Sequence, residues 1–260
     1  MGNVTLQRQL PNKPLFADVL WSKPVNRKAA KKLLIVGGHL GNFRQVQSVY
    51  TAAIKAGIGE AKVVLPDKLR PALGNHPDCL FVASTNSGTL AKAALAEIKV
   101  YAEASDGLLL GPDLSQNAET ITLVEQILLD FKTDICLSSE AIHLMLFNAD
   151  AISFALNRLL VAPTKLLVKL AAKYRTPVTI RPDGGLLNQV NLLEALGNMV
   201  PAAYVLAATD LLVWSDGQVS HTALKTWYEP TLLGYLFTHY LQQPDKFKGL
   251  TTAAYELSQL

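Results

Sequence analysis

Residues 33–42 read LLIVGGHLGN, an apolar run that stops in three glycines. Gly37, Gly38 and Gly41 let the backbone turn sharply and leave room for a ligand to approach it. His39 is a candidate ligand contact in this turn or a histidine hydrogen-bonded within it, and Asn42 is a candidate contact beside it. A second turn, Gly111-Pro112-Asp113-Leu114-Ser115, follows another apolar run and brings a carboxylate. Ser138, Ser139 and His143 invite a nucleophile-and-base reading, but no GxSxG elbow surrounds them, which argues against a hydrolase. The five histidines (His39, His76, His143, His221 and His239) form no HxxxH or HExxH pair, so no metal site is expected. Cys79 and Cys136 show neither CxxC nor Cys/His spacing, which indicates neither a disulfide framework nor zinc.

These turns need a scaffold of strands and helices. Residues 33–36 suit a strand buried on both faces, as in a parallel sheet. Residues 43–58 repeat apolar side chains at helical spacing. Strand, glycine turn, helix is where open α/β sheets hold ligands, beyond the carboxyl ends of the strands. Further strands are predicted at 61–66, 79–83, 106–110, 135–137, 160–163, 178–181, 203–207 and 211–214, the last closed by the hairpin-type turn 215–218. Helices are predicted at 89–104, 118–131, 141–147, 153–159, 165–173, 231–241 and 250–260, with a short one inside 184–201. The alternation implies an α/β protein, a largely parallel sheet with helices on both faces and some antiparallel pairing late in the chain. Residues 1–30, with Pro11, Pro14 and Pro24, read as an irregular N-terminal arm that docks on the body or on a neighbouring subunit, and 31–260 as a single domain.

Of 260 residues, 50% are hydrophobic and 17% charged, ample for one large core. A net charge of +3 with dispersed Lys and Arg gives no nucleic-acid footprint. Residues 1–12 lack the apolar region of a signal peptide, and no apolar run reaches membrane-spanning length, so a cytoplasmic protein is expected, with no membrane partner.

The order and spacing of these signals resemble the ATP- or ADP-dependent NAD(P)H-hydrate dehydratases of the ribokinase-like superfamily, from about Leu20 onward. Residues 20–24 (LWSKP) resemble the family's lead-in, and residues 33–38 its "VLVIGGS" strand and turn, with His39 in place of Ser. Residues 52–59 (AAIKAGIG) look like "AALRAGAGLV", and residues 106–114 (DGLLLGPDL) resemble "DAVVIGPGLG" with Asp113 and Ser115 in place of glycines. Residues 137–143 (LSSEAIH) sit where the family has "LDADALN". The resemblance implies a ribokinase-like three-layer α/β/α fold, a homo-oligomer, ATP or ADP with Mg²⁺ as cofactor, and an NAD(P)H-like substrate. It points to Ser138, Glu140, Thr164, Thr209 and Thr226 as contact positions beside Gly37, Gly38, His39, Asn42, Gly111 and Asp113.

Four departures fall at the family's reactive positions. Its "GTGD" turn, whose free N–H groups hold phosphate and whose Asp is the general base, is replaced within residues 221–234 (HTALKTWYEPTLLG). No glycine precedes the helix there, Trp227 and Tyr228 occupy the turn, and Pro230 stands near the Asp position. Its "TPHxGE" is replaced by residues 162–167 (APTKLL), losing His and Glu, and its "LKGxxT" by residues 206–210 (LAATD), losing Lys. The first carboxylate of "DAD" becomes Ser138, while Glu140 can stand for the second. Glu229 is either a displaced base or a carboxylate that favours the helix dipole. A carboxylate ~4 Å from a phosphate costs about 4 kcal/mol at an effective dielectric of 20. Pro230 suits the first residue of a helix, and Trp227 and Tyr228 are expected to fill the space of a phosphate or else to stack on a ligand.

The sequence therefore favours a ribokinase-like homologue impaired in catalysis, with residual nucleotide or dinucleotide binding near Gly37, Gly38, Gly111 and Asp113. One alternative is an active dehydratase or small-molecule kinase that uses Glu229 and Glu140 in a rearranged site. Another is a non-catalytic oligomeric interaction protein.

Overall fold

The structure, a computed structural model, describes residues 5–22, 24, 26, 29–153, 157–176, 181 and 184–260. Strand β1 (Thr5–Gln9) and the short helix α1 (Ala17–Trp21) come first. Then follow β2 (Lys32–Val36), α2 (Arg44–Ala56), β3 (Glu60–Pro66), the single turn α3 (Arg70–Leu73) and β4 (Cys79–Val82). The middle of the chain holds α4 (Leu95–Glu103), β5 (Gly107–Leu110), α5 (Ala118–Asp130), β6 (Asp134–Leu137), α6 (Ser139–Met145) and the turn α7 (Asp150–Ser153). It continues with β7 (Arg158–Pro163), α8 (Thr164–Lys173), α9 (Leu186–Met199), β8 (Ala203–Ala207), β9 (Asp210–Ser215), β10 (Gln218–Ala223), α10 (Glu229–Gln242) and α11 (Lys246–Ser258).

The described strands form one ten-stranded sheet in the order β1-β10-β9-β8-β7-β6-β5-β2-β3-β4. Among the described strands, β9 alone runs against its neighbours, pairing antiparallel with both β8 and β10. Because side chains alternate across a strand, β2 sends Leu34 and Val36 into one core and Leu33 and Ile35 into the other. In β5 and β6, Leu108, Leu110, Ile135 and Leu137 face the first core, while Leu109 and Cys136 face the second. Residues of α4, α5, α6, α8 and α9 cover the first face, and those of α2, α10 and α11 the second. This is the three-layer α/β/α arrangement that the apolar runs predict.

α2 and α10 approach unusually closely. A Cβ on Gly234 would stand 2.6 Å from Ala52 Cβ and 2.8 Å from both Ala53 N and Val49 O. Beneath α5, the buried Arg158 guanidinium donates from Nη2 to Leu128 O at 3.0 Å and to Phe131 O at 3.4 Å, and from Nη1 to Thr133 O at 3.3 Å. It thereby meets the carbonyls that a helix C-terminus leaves without partners.

Several elements differ from the sequence expectation. Within the N-terminal arm, residues read as irregular form β1, which pairs parallel with β10 and so extends the sheet. Gln9 fixes it, donating from Nε2 to Thr222 Oγ1 and to Thr251 O, both at 3.0 Å. The helix expected at 153–159 is corrected: α7 ends at Ser153, and Arg158 already belongs to β7. The strand expected at 178–181 lies, apart from Arg181, outside the described residues. Residues 184–201 hold a helix of 14 residues rather than a short one. Among the described residues, no helix is long and apolar enough to cross a membrane.

Candidate functional site

The parallel strands deliver their following turns to one edge of the sheet. There Gly111 N–H donates to Val36 O at 2.8 Å and Gly38 N–H to Pro112 O at 3.4 Å, which ties the two glycine turns together. The crossing is tight enough that a Cβ on Gly37 would stand 2.6 Å from Pro112 O. Gly38 has φ +80°, a left-handed conformation that glycine adopts without strain. His39 and Asn42 exchange backbone hydrogen bonds of 2.8 and 3.0 Å. His39 Nδ1 also accepts the Gly41 N–H at 3.0 Å, so the ring closes its own turn.

Asp113 reaches across to the start of α2. Its carboxylate accepts Asn42 Nδ2 at 2.7 Å, Gln45 N at 3.1 Å and Gln45 Nε2 at 3.0 Å. It is buried and holds φ +63°, a conformation that costs an ordinary side chain energy. The carboxylate therefore sits where the α2 N-terminus would attract an anion. Burial pushes its carboxyl above the usual range, a rise reinforced by the Glu140 carboxylate and opposed by the Gln45 N–H.

α6 is arranged in the same way. Ser138 Oγ donates to Gly111 O at 3.0 Å and accepts the Ala141 N–H at 3.3 Å as an N-cap. Glu229, the first residue of α10, turns its carboxylate away from its own helix and accepts the Ser139 N–H at 2.7 Å. Burial raises the Glu229 carboxyl, with hydrogen bonding from Ser139 opposing the rise and Glu140 adding to it. Glu140 in turn accepts the Ser115 N–H at 3.1 Å.

One network of hydrogen-bonded turns thus draws together Gly38, His39, Asn42, Gly111, Asp113, Ser138, Glu140 and Glu229, with Gly37 packed against Pro112 beside them. The three threonines stand apart from it. Thr164 is buried at the start of α8, whereas Thr209, between β8 and β9, and Thr226, before α10, are exposed and make no hydrogen bond to the network. Ser138 is fully buried with its hydroxyl engaged at both ends, and His143 is exposed, so the two form no nucleophile–base pair. Trp227 and Tyr228, expected as buried filling, are instead 41% and 48% exposed. Pro230 is the second helical residue rather than the first, and Thr231 N–H donates to Tyr228 O at 2.9 Å.

The three helix starts at this edge offer a nucleotide phosphate no free cradle. The α10 entrance lacks the Pro230 N–H and commits that of Thr231, while carboxylates already occupy the starts of α2 and α6. Among the described residues, no group of three or more His, Cys, Asp or Glu converges to hold a metal ion. Sequence reading singled out Asp113 and Glu229 but missed both partners, because Gln45 and Ser139 lie 68 and 90 residues away in the chain.

No family model matches the sequence, and no curated protein matches it. A ribokinase-like superfamily protein from Enterococcus faecalis superposes with a TM-score of 0.75, covering 100% of this chain and 89% of its own, at 15% identity. The fold is ribokinase-like. Other ribokinase-like neighbours carry different activities. The ADP/ATP-dependent NAD(P)H-hydrate dehydratase from Bacillus subtilis, co-crystallized with ATP/Mg²⁺, superposes at TM-score 0.66 and 12% identity, over 95% of this chain and 88% of its own. A pyridoxal kinase from Staphylococcus aureus in complex with AMP-PCP and pyridoxal superposes at TM-score 0.57 and 7% identity, over 86% and 85%. One ribokinase-like scaffold hosts several chemistries, so function has to be argued from the site.

Proposed function

We propose that this chain is a ribokinase-like relative of the NAD(P)H-hydrate dehydratases that has given up nucleotide-consuming chemistry and acts by binding a small molecule. The observation that carries this reading is the 2.7 Å bond from Ser139 N–H to Glu229. A carboxylate engaged in capping a neighbouring helix is poorly placed to take a proton from a substrate, and its charge repels phosphate. Asp113 supports the reading by doing the same on α2. Residual nucleotide or dinucleotide binding at the Gly37–Gly38 and Gly111–Asp113 turns, in a cytoplasmic homo-oligomer, remains part of the proposal.

One observation favours a second reading. Burial raises the Glu229 carboxyl, the direction in which a buried general base is tuned. On that reading Glu229 serves a dehydratase or a small-molecule kinase. Calorimetric titration with ATP, ADP, AMP and NADPH, with and without Mg²⁺, followed by an assay on hydrated NADPH, separates the two. We expect no magnesium-dependent turnover. Turnover that Glu229→Gln abolishes would overturn the proposal, and silence toward every nucleotide would leave an interaction protein, whose assembly native mass spectrometry reads.

A further inference from the structure

On the flank of α2 that faces β3, a cavity of about 230 Å³ lies between Phe43, Val46, Val63, Leu65, Leu73 and Cys79. It adjoins the first glycine turn: a Cβ on Gly38 would stand 2.9 Å from Leu65 Cδ2 and 3.2 Å from Phe43 Cβ, two of its walls. Cys79 belongs to the apolar lining in chemistry as well as in place. Burial and the neighbouring Asp78 push its thiol up, so it stays protonated and behaves as a small hydrophobe.

Size limits the occupant. An apolar cavity of ~150 Å³ accepts benzene, so the space here suits one ring or two fused rings. The lining also carries polar groups, Gln47, Tyr50, Thr51, His76 and Asp78. Asp78 Oδ2 accepts the Tyr50 hydroxyl at 2.7 Å and Oδ1 accepts Lys62 Nζ at 3.2 Å. Those partners hold its carboxyl below the ordinary range, and each carboxylate oxygen can accept one more donor. The carboxylate disfavours an anionic ligand, and Lys62 already supplies its counter-charge, which leaves a neutral donor as the best complement.

We infer that this cavity binds a small neutral aromatic molecule of one or two fused rings whose N–H or O–H donates to Asp78. The site opens on the β3 flank of α2, beside the first glycine turn, and the inference does not rest on the proposed function.

Cys79 supplies the readout, because Cys136 is fully buried. Modification by methyl methanethiosulfonate, followed by intact mass, is measured against increasing indole or naphthalene. Indole at up to millimolar concentration slows Cys79 modification saturably, and naphthalene does so more weakly. Asp78→Asn weakens indole about fivefold by removing the charge from the acceptor, and leaves naphthalene unchanged. Leu73→Trp, which fills the cavity, removes protection by both probes at an unaltered melting temperature. Thr51→Trp at the rim serves if Leu73→Trp fails to fold. Absence of saturable protection by either probe, or protection that survives filling, overturns the inference. Equal response to indole and naphthalene overturns the assignment of Asp78.

Discussion

Glu229 Oε1 and Ser139 N lie 2.7 Å apart, joining the start of α10 to the start of α6. At other helix N-termini that position attracts a ligand anion; here the chain provides its own. The favourable bond is set against the desolvation of a charge, and the raised carboxyl of Glu229 shows that desolvation is the larger of the two.

That balance fixes a sign. A carboxyl raised on folding contributes most to stability below its unfolded pKa, and the contribution falls away as pH rises through the folded value. Glu229→Gln keeps an acceptor oxygen for Ser139 and removes the charge. The variant should therefore melt above the parent at pH 7, by about 2–4 °C for a gain near 1 kcal/mol, and the difference should vanish on approach to pH 4. Calorimetry across that interval measures it; a lower melting temperature at pH 7 would show that the charge stabilises the cap.

Asp113→Gly replaces a residue at φ +63° with one that holds this conformation freely. Relief of backbone strain contributes about 1 kcal/mol, whereas the lost α2 cap, with its bonds from Asn42 and Gln45, costs about 1–2 kcal/mol. A small net loss is expected in urea. The emptied helix start should then respond to phosphate, raising the melting temperature of the variant and not of the parent.

At Gly234, packing opposes propensity. Alanine is the better helix former by about 1 kcal/mol, but its Cβ would press on Ala52, the Ala53 backbone and Val49 O. Overpacking of this kind costs about 1–3 kcal/mol, and backbone cannot swing aside. Gly234→Ala should shift the urea midpoint downward.

Arg158→Leu tests the carbonyl clasp under α5. Burial lowers the guanidinium to about 10, which leaves it charged at neutral pH. Its removal strands the carbonyls of Leu128, Phe131 and Thr133, at about 1–3 kcal/mol for each buried unpaired group. Chemical denaturation should show one of the largest losses of any single substitution in the sheet.

The central strands were legible because both faces of β2, β5 and β6 are covered, and the sequence there is almost unbroken Leu, Ile and Val. β1 was not, since Thr5, Gln7 and Arg8 mix polarity as an edge strand does. Arg158 disguised the start of β7, because a charged residue rarely opens a buried strand unless carbonyls meet it. At the site, the glycine turns and Asp113 were visible in the chain. The capping of α6 by Glu229 was not, for it depends on a contact between elements 90 residues apart.

β1 has a kinetic consequence. Its partners are β10 and, through Gln9, Thr251 of α11, so β1, which precedes both in the chain, has nowhere to dock until they have been made. Closure of this edge belongs to the slow, long-range class of contact. During synthesis residues 5–9 should stay open to protease until β10 and α11 emerge, and protection should then arrive in one step.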